Sequence, residues 1–205
     1  MASYRRRDVL NLAGLDATGK TTIALHLRDK YGFEIYSPDD LIEEFAKKRG
    51  LPLESLDQYQ RAQAKMTKKN KNAVVQPVLE SSADKIVIDG LRTFRDALLL
   101  SDSIDYRYWT LTLEAPADVR YEREKQDNTG RANVSPEVYE YRTTAEMRNL
   151  TYKLDYTMAM HNLVTTPYPS FSEKTPPPLN TDRPLEEVLA DVEERLIYKG
   201  LVQAI

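Results

Sequence analysis

Val9-Leu10-Asn11-Leu12-Ala13-Gly14-Leu15-Asp16-Ala17-Thr18-Gly19-Lys20-Thr21-Thr22 opens as a short apolar run, turns at Gly14 and closes as the spacing G-x-x-x-x-G-K-[ST]. Each fixed position has a physical job. The glycines let the backbone turn back so that its N–H groups point inward, where they can hydrogen-bond phosphate oxygens. A helix that follows adds the positive end of its dipole at the same place. Lys20 is a mobile point charge able to follow the β- and γ-phosphates, and Thr21 offers a hydroxyl to Mg²⁺. The run before the turn is strand-like, and TTIALHLRDKYG after it is helix-like. The stretch reads as a nucleoside-triphosphate site, with Gly14, Ala17, Thr18, Gly19, Lys20, Thr21 and Thr22 as its contacts.

Working outward, short apolar strands alternate with helices. Val9 to Ala13 reads as a buried strand and Lys20 to Tyr31 as a helix ending before Gly32. Phe33 to Tyr36 is a second strand. Ser37-Pro38-Asp39-Asp40 has the form of a helix start, with Ser37 as N-cap and Pro38 in the first turn. That helix closes on Gly50. Leu56 to about Ser82 is polar and helix-compatible, with a basic cluster at Lys65, Lys68, Lys69 and Lys71. Lys85 to Asp89 is a third strand and Arg107 to Leu113 a fourth. Pro116 opens a helix, ADVRYEREKQ, followed by the polar run DNTGRANVS. Ser135-Pro136-Glu137 starts another helix running to roughly Tyr156. TPYPSFSEKTPPP is too proline-rich for regular structure and reads as a surface loop. Leu179 to Thr181 is a short last strand before the amphipathic helix PLEEVLADVEERL. The alternation calls for an α/β fold, a parallel sheet with helices on both faces.

Composition bounds the rest. The 205 residues are enough for one well-buried core, and no repeat or linker divides them, so one domain spans 1–205. A net charge of −3 gives no bulk attraction to nucleic acid or anionic membranes. The absence of cysteine excludes disulfides and thiolate chemistry, and two distant histidines, His26 and His161, make a poor zinc site. Arg5-Arg6-Arg7 precedes an apolar run far too short for a signal segment, and no stretch approaches a membrane span. The expected compartment is the cytoplasm, with small-molecule nucleotides rather than a membrane or bulk nucleic acid as partners. The oligomeric state stays open, a homodimer being one option.

Two features select among phosphate chemistries. Val87-Ile88-Asp89-Gly90-Leu91-Arg92 puts an acid at the carboxyl end of a central strand, beside the phosphate loop, where it can hold a water on Mg²⁺. Arg92 lies just beyond, within reach of a second anion. Arg120, Arg123, Arg131 and Arg142 then form a series on a helix–loop–helix. Closing over the loop, they would supply charge for a migrating phosphoryl group and exclude water. Solvated ion pairing with Glu122, Glu124, Glu137 and Glu140 is the plainer account of any single one. Signalling-GTPase switch motifs are absent.

At these residues the chain resembles the nucleoside monophosphate kinase group of P-loop enzymes over nearly its whole length. Phosphate loop, acid after the second strand, Asp-Gly-x-Arg after the third and an Arg-rich lid come in that group's order. GLDATGKTT is similar to the thymidylate kinase loop, including Asp16, whose counterpart lies near the acceptor's sugar. VIDGLR resembles the Asp-Gly-(Phe-Pro)-Arg segment of adenylate kinases, shortened by a residue. EAPADVRYER is most similar to dephospho-coenzyme A kinases and their archaeal relatives, which also carry an acid where Asp39 or Asp40 stands. The Asp-Arg-Tyr motif of thymidylate kinases is missing, no arginine follows the acid pair, and the proline-rich loop 167–178 has no counterpart.

The resemblance implies a three-layer P-loop sandwich with five parallel strands in the order 2-3-1-4-5, an acceptor-binding helical insertion at about 37–82 and a lid at about 123–142. It implies transfer of the ATP γ-phosphoryl group, with Mg²⁺, to a nucleoside monophosphate. Lys20 and the loop amides would hold the phosphates, with Asn180 a further nucleotide contact. Thr21 and Asp89 would position the metal. Arg92 and Arg142 would grip the acceptor, and Arg123 and Arg131 would stabilise the transferring group. Asp16, Asp39 and Asp40 would orient the acceptor, although capping alone explains the last two. Two alternatives stay open: a kinase for a larger acceptor such as dephospho-coenzyme A or a nucleic-acid end, and a nucleotide-binding switch or regulatory ATPase without an acceptor.

Overall fold

The computed structural model describes residues 7–53, 56–91, 94–103, 105–126, 135, 138–139 and 178–204. Strands β1 (Arg7–Ala13), β2 (Glu34–Tyr36), β3 (Lys85–Asp89), β4 (Tyr106–Glu114) and β5 (Leu179–Asn180) form one sheet in the order β2-β3-β1-β4-β5. Every neighbouring pair is parallel. The expected strand order is therefore the observed one. β1 is buried on both sides, which is why its sequence reads as a nearly continuous apolar run. Asp8 and Arg107 face each other across β1 and β4 and are joined by two hydrogen bonds of 2.6 and 2.8 Å.

Helices cover both faces. On one, α1 (Lys20–Tyr31) and α7 (Leu185–Tyr198) pack Ile23, Ala24, Leu27, Val188, Val192 and Leu196 against Leu10 and Leu12. Glu193 of α7 accepts hydrogen bonds from Lys30 of α1 at 2.7 and 2.8 Å and lies 2.7 Å from His26 Nε2. Burial pushes the Glu193 carboxyl up, and the hydrogen bonds from Lys30, His26 and Tyr31 outweigh it, leaving it below the usual carboxylate range. On the other face, α4 (Gln76–Glu80) and α5 (Phe94–Ser101) pack Val78, Ala97 and Leu100 against Val9, Ile86 and Ile88. A separate cluster joins α2 (Pro38–Lys48) to α3 (Leu56–Lys69) through Ile42, Ala46, Tyr59, Ala62 and Met66. The remaining helix, α6 (Ala117–Gln126), follows β4.

Local chemistry sets the boundaries. Gly32, at φ +71°, ends α1 with a left-handed cap whose N–H returns to Arg28. Ser37 caps α2 by accepting from the Asp40 N–H at 3.2 Å, with Pro38 in the first turn. The helix-compatible stretch from Leu56 to Ser82 holds two helices, with a break between Lys69 and Gln76. There the Asn70 side chain accepts from the Asn72 N–H at 2.9 Å, a turn that competes with helix. Ser135 accepts from Val138 and Tyr139 as an N-cap does, while the helix expected from it to Tyr156, and most of the proline-rich loop, lie outside the described residues. No described helix is long and apolar enough to cross a membrane.

Candidate active site

The site begins where β1 runs out. Gly14 leaves no room for a side chain: a Cβ there would stand 2.7 Å from the Leu113 carbonyl oxygen of β4 and 2.7 Å from Thr18 Oγ1. The phosphate loop thus rests directly on the sheet. Ala17 (φ +59°) and Gly19 (φ +86°) are left-handed, so the backbone curls, and buried Thr18 pins the curl by donating to the Leu15 carbonyl at 2.8 Å. Gly19 is also the N-cap of α1. It brings no side chain to the helix start, and no acid stands in the first turn. The leading N–H groups of α1 therefore face the loop ready for an anion.

The Lys20 ammonium folds back over this loop and donates to the carbonyl oxygens of Gly14 (3.0 Å) and Leu15 (2.8 Å). Its stem passes Gly90, where an added Cβ would lie 3.2 Å from Lys20 Cε. Gly90 also has φ +88°, a conformation that side chains resist. Next along α1, the Thr21 hydroxyl donates to Asp89 Oδ2 at 2.6 Å, across 68 residues of sequence. Asp89 is half-buried at the end of β3. Burial pushes its carboxyl above the usual range, against the pull of Thr21 and Lys20, and Asp39 and Asp40 push it further. A carboxylate raised in this way, touching a hydroxyl at the mouth of an anion cradle, is what a hard cation would relieve.

That donor set fits Mg²⁺. Among the described residues no group of three or more acidic or histidine side chains could hold an ion unaided. Mg²⁺ needs none, because it keeps several waters and takes its remaining oxygens from one or two side chains and the substrate's phosphates.

The other expected residues fall as follows. Thr22 is exposed on α1, and Asp16 is half-buried within the loop. Asp39 accepts from the Tyr59 hydroxyl of α3, which ties α2 to α3, and Asp40 is exposed one residue on. Asn180 is exposed at the end of β5, where its side chain accepts from the Asp182 N–H at 2.8 Å. Arg123 reaches from α6 to the phosphate loop. It donates to the Ala17 carbonyl (3.3 Å), to Thr181 Oγ1 (3.2 Å) and to the Thr181 carbonyl (2.6 Å). Arg120, one turn earlier, parts company with it. Buried to 3% exposure, it donates to the Ala115 carbonyl and to the Tyr139 hydroxyl, both at 3.1 Å. It braces the fold and does not line the loop. Arg92, Arg131 and Arg142 lie outside the described residues.

One contributor was not anticipated. Asn11, 1% exposed in the middle of β1, accepts from the Leu91 N–H at 3.0 Å, just past Asp89 and Gly90. The only trace of it in the sequence is an amide side chain inside a strand that is otherwise apolar.

A family model described as AAA domain matches residues 13–140, more than half of the chain. The chain belongs to that family and, within it, to the P-loop nucleoside monophosphate kinase group. It is 30% identical over 132 residues to the cytidylate kinase of Desulfurococcus amylolyticus, covering 63% of this chain and 67% of that protein. The cytidylate kinase of Pyrococcus abyssi is 29% identical over 56% of this chain, and the match spans 58% of that relative's length. Among solved structures, shikimate kinase from Bacteroides thetaiotaomicron superposes with a TM-score of 0.57 at 14% identity, covering 92% of this chain and 97% of that one. A sugar kinase from Janibacter superposes with a TM-score of 0.51 at 17% identity, covering 95% of each. These likenesses are to the fold.

Within this group's loop, Gly14 gives the plainest steric test. Gly14→Ala is expected to weaken ATP affinity at least ~10-fold and to cost about 1–3 kcal/mol of stability, because its methyl meets a fixed strand carbonyl. Calorimetric titration and urea unfolding check the two halves separately. Unchanged affinity would mean that the loop stands off from β4.

Proposed function

We propose that this protein transfers the γ-phosphoryl group of ATP, with Mg²⁺, to the phosphate of a nucleoside monophosphate, and that CMP is the acceptor to try first. What supports the reading is the meeting of Lys20, Thr21 and Asp89 at the mouth of an uncapped helix start, together with the two relatives named cytidylate kinase. An oxygen of the acceptor phosphate attacks the γ-phosphorus, the bond to the β,γ-bridging oxygen breaks, and ADP leaves with the electron pair.

Lys20 moves from the Gly14 and Leu15 carbonyls onto the β- and γ-phosphates, and the loop N–H groups hold the β-phosphate. Thr21 and Asp89 would hold the metal ion, which when bound neutralises phosphate charge. Arg123 keeps the loop in register from the α6 side. We assign Arg92 and Arg142 to the acceptor phosphate and Arg131 to the transferring group. Asp16, Asp39 and Asp40 are assigned to the acceptor's neutral hydroxyls, with residues 37–82 as the acceptor-binding insertion and 123–142 as the lid.

The test is ADP release from ATP and Mg²⁺ with each ribo- and deoxyribonucleoside monophosphate and dephospho-coenzyme A, with Lys20→Ala as blank. Stimulation by CMP, or by one other monophosphate, supports the reading and names the acceptor. Stimulation by dephospho-coenzyme A alone replaces the acceptor class. ATP loss indifferent to every acceptor points to a switch.

A further inference from the structure

We propose that Asn11 is a positioning residue for this site: its buried carboxamide holds the exit of β3 in the turn that brings Asp89 to Thr21 and Gly90 against Lys20. The proposal rests on the reading of Thr21 and Asp89 as the metal-holding pair.

Asn11 sits in β1 opposite Ile88 of β3 and Thr110 of β4. Strand alternation puts it on the same face as Val9, among Ile86, Ile88 and Tyr108. An amide side chain there costs free energy unless it is hydrogen-bonded, and an aliphatic residue would pack at no such cost. Its carboxamide faces the Tyr108 hydroxyl on the same side of the sheet, and its oxygen takes a long-range bond from beyond the strand, Leu91 N–H to Oδ1 at 3.0 Å. β3 stops at Asp89, so the Leu91 N–H has left the ladder to β1 and needs an acceptor of its own.

Supplying that acceptor from β1 fixes Leu91, and with it the two residues before it. The Gly90 N–H bonds back to the Ile88 carbonyl at 3.1 Å, and its positive φ folds the chain over the Lys20 stem. Asp89 is thereby pinned between a paired strand residue behind and an anchored amide ahead. Leu91 itself packs against the cores on both sides of it, so the anchored turn also joins the sheet to the α2–α3 unit.

Two variants and two readouts test this. Asn11→Leu removes the acceptor and keeps the volume roughly; Asn11→Asp keeps an acceptor oxygen at the cost of a buried charge. The first readout is amide hydrogen exchange at Leu91, which involves no nucleotide. The second is the gain in affinity for a non-hydrolysable ATP analogue on adding Mg²⁺, measured well below each variant's Tm.

We expect Asn11→Leu to speed Leu91 exchange at least ~10-fold and to lose most of the Mg²⁺-dependent gain, with metal-free affinity held within about threefold. We expect Asn11→Asp to keep both while lowering Tm. A merely structural role would move Tm alone. Wild-type protection and wild-type Mg²⁺ gain in Asn11→Leu would overturn the proposal. A wild-type protein that gains nothing from Mg²⁺, with Leu91 still protected, would instead overturn the metal-holding reading of Thr21 and Asp89.

Discussion

Replacing Lys20 by alanine leaves a folded protein whose phosphoryl transfer is slower by at least ~10³-fold. The two halves of that expectation have different grounds. Lys20 contributes no side chain to any hydrophobic cluster, and its polar contacts are with two loop carbonyls. Alanine is the better helix former at the start of α1, so unfolding in urea should shift little. The reaction, by contrast, loses the one cation seated in the loop itself. Removing a single preorganised donor from a site of developing charge costs about 3–4 kcal/mol, or 10²–10³ in rate. A full positive charge in a half-buried loop belongs at or above the top of that range. Coupled measurement of ADP release gives the number, and a variant within tenfold of wild type would mean that the loop holds its ligand elsewhere.

Exchanging Asp89 for asparagine should reduce activity by about 10²-fold, raise the Mg²⁺ concentration needed, and yet make the ligand-free protein melt higher. The pH argument gives the sign. Burial, with Asp39 and Asp40 nearby, raises the folded-state pKa of Asp89 above its unfolded value. The folded protein therefore binds the extra proton more readily than the unfolded chain does. The stability this contributes is fully present below the ordinary aspartate range and is lost as the pH climbs through the raised value. At neutral pH the ionised side chain is a net cost, and an amide of the same shape removes it. Thermal melts of both proteins from pH 4 to 8, without nucleotide or Mg²⁺, should diverge as the pH rises, the variant above. Parallel curves would show that Asp89 titrates as it does in an unfolded chain.

Much of this architecture was legible because its signals are local. Gly32 and Ser37-Pro38 punctuate α1 and α2 within a few residues, and alternating apolar strands with helices between them imply the parallel sheet. α5 carried no such mark, since Phe94–Ser101 is short and its apolar residues run together instead of recurring at helical spacing. The stretch from 56 to 82 looked continuous because composition there is uniform, and the break depends on particular asparagine turns.

At the site, the loop and Asp89 were readable from spacing, whereas Asn11 was not: its partner is 80 residues away and no periodicity points to it. Arg120 misled for a related reason. Spacing puts it on the face of Arg123, but what decides its role is Tyr139, reaching it from beyond the helix. Tertiary contacts of that kind leave no trace in a one-dimensional pattern.

The order in which the face beneath the phosphate loop is assembled bears on biosynthesis. α1 is made about 150 residues before the side chains that complete its apolar cluster, Leu179, Val188, Val192, Leu196, Leu201 and Val202. On the ribosome, Ile23, Ala24 and Leu27 must wait until α7 has been made for the side chains that cover them. Until then the nascent chain exposes half a core, a surface that chaperones or neighbouring nascent chains can seize. Nucleotide arriving early cannot close that gap, because the loop lies at the end of β1 and the missing side chains lie along its flank. Docking of α7, rather than ligand, is what completes this face of the sheet.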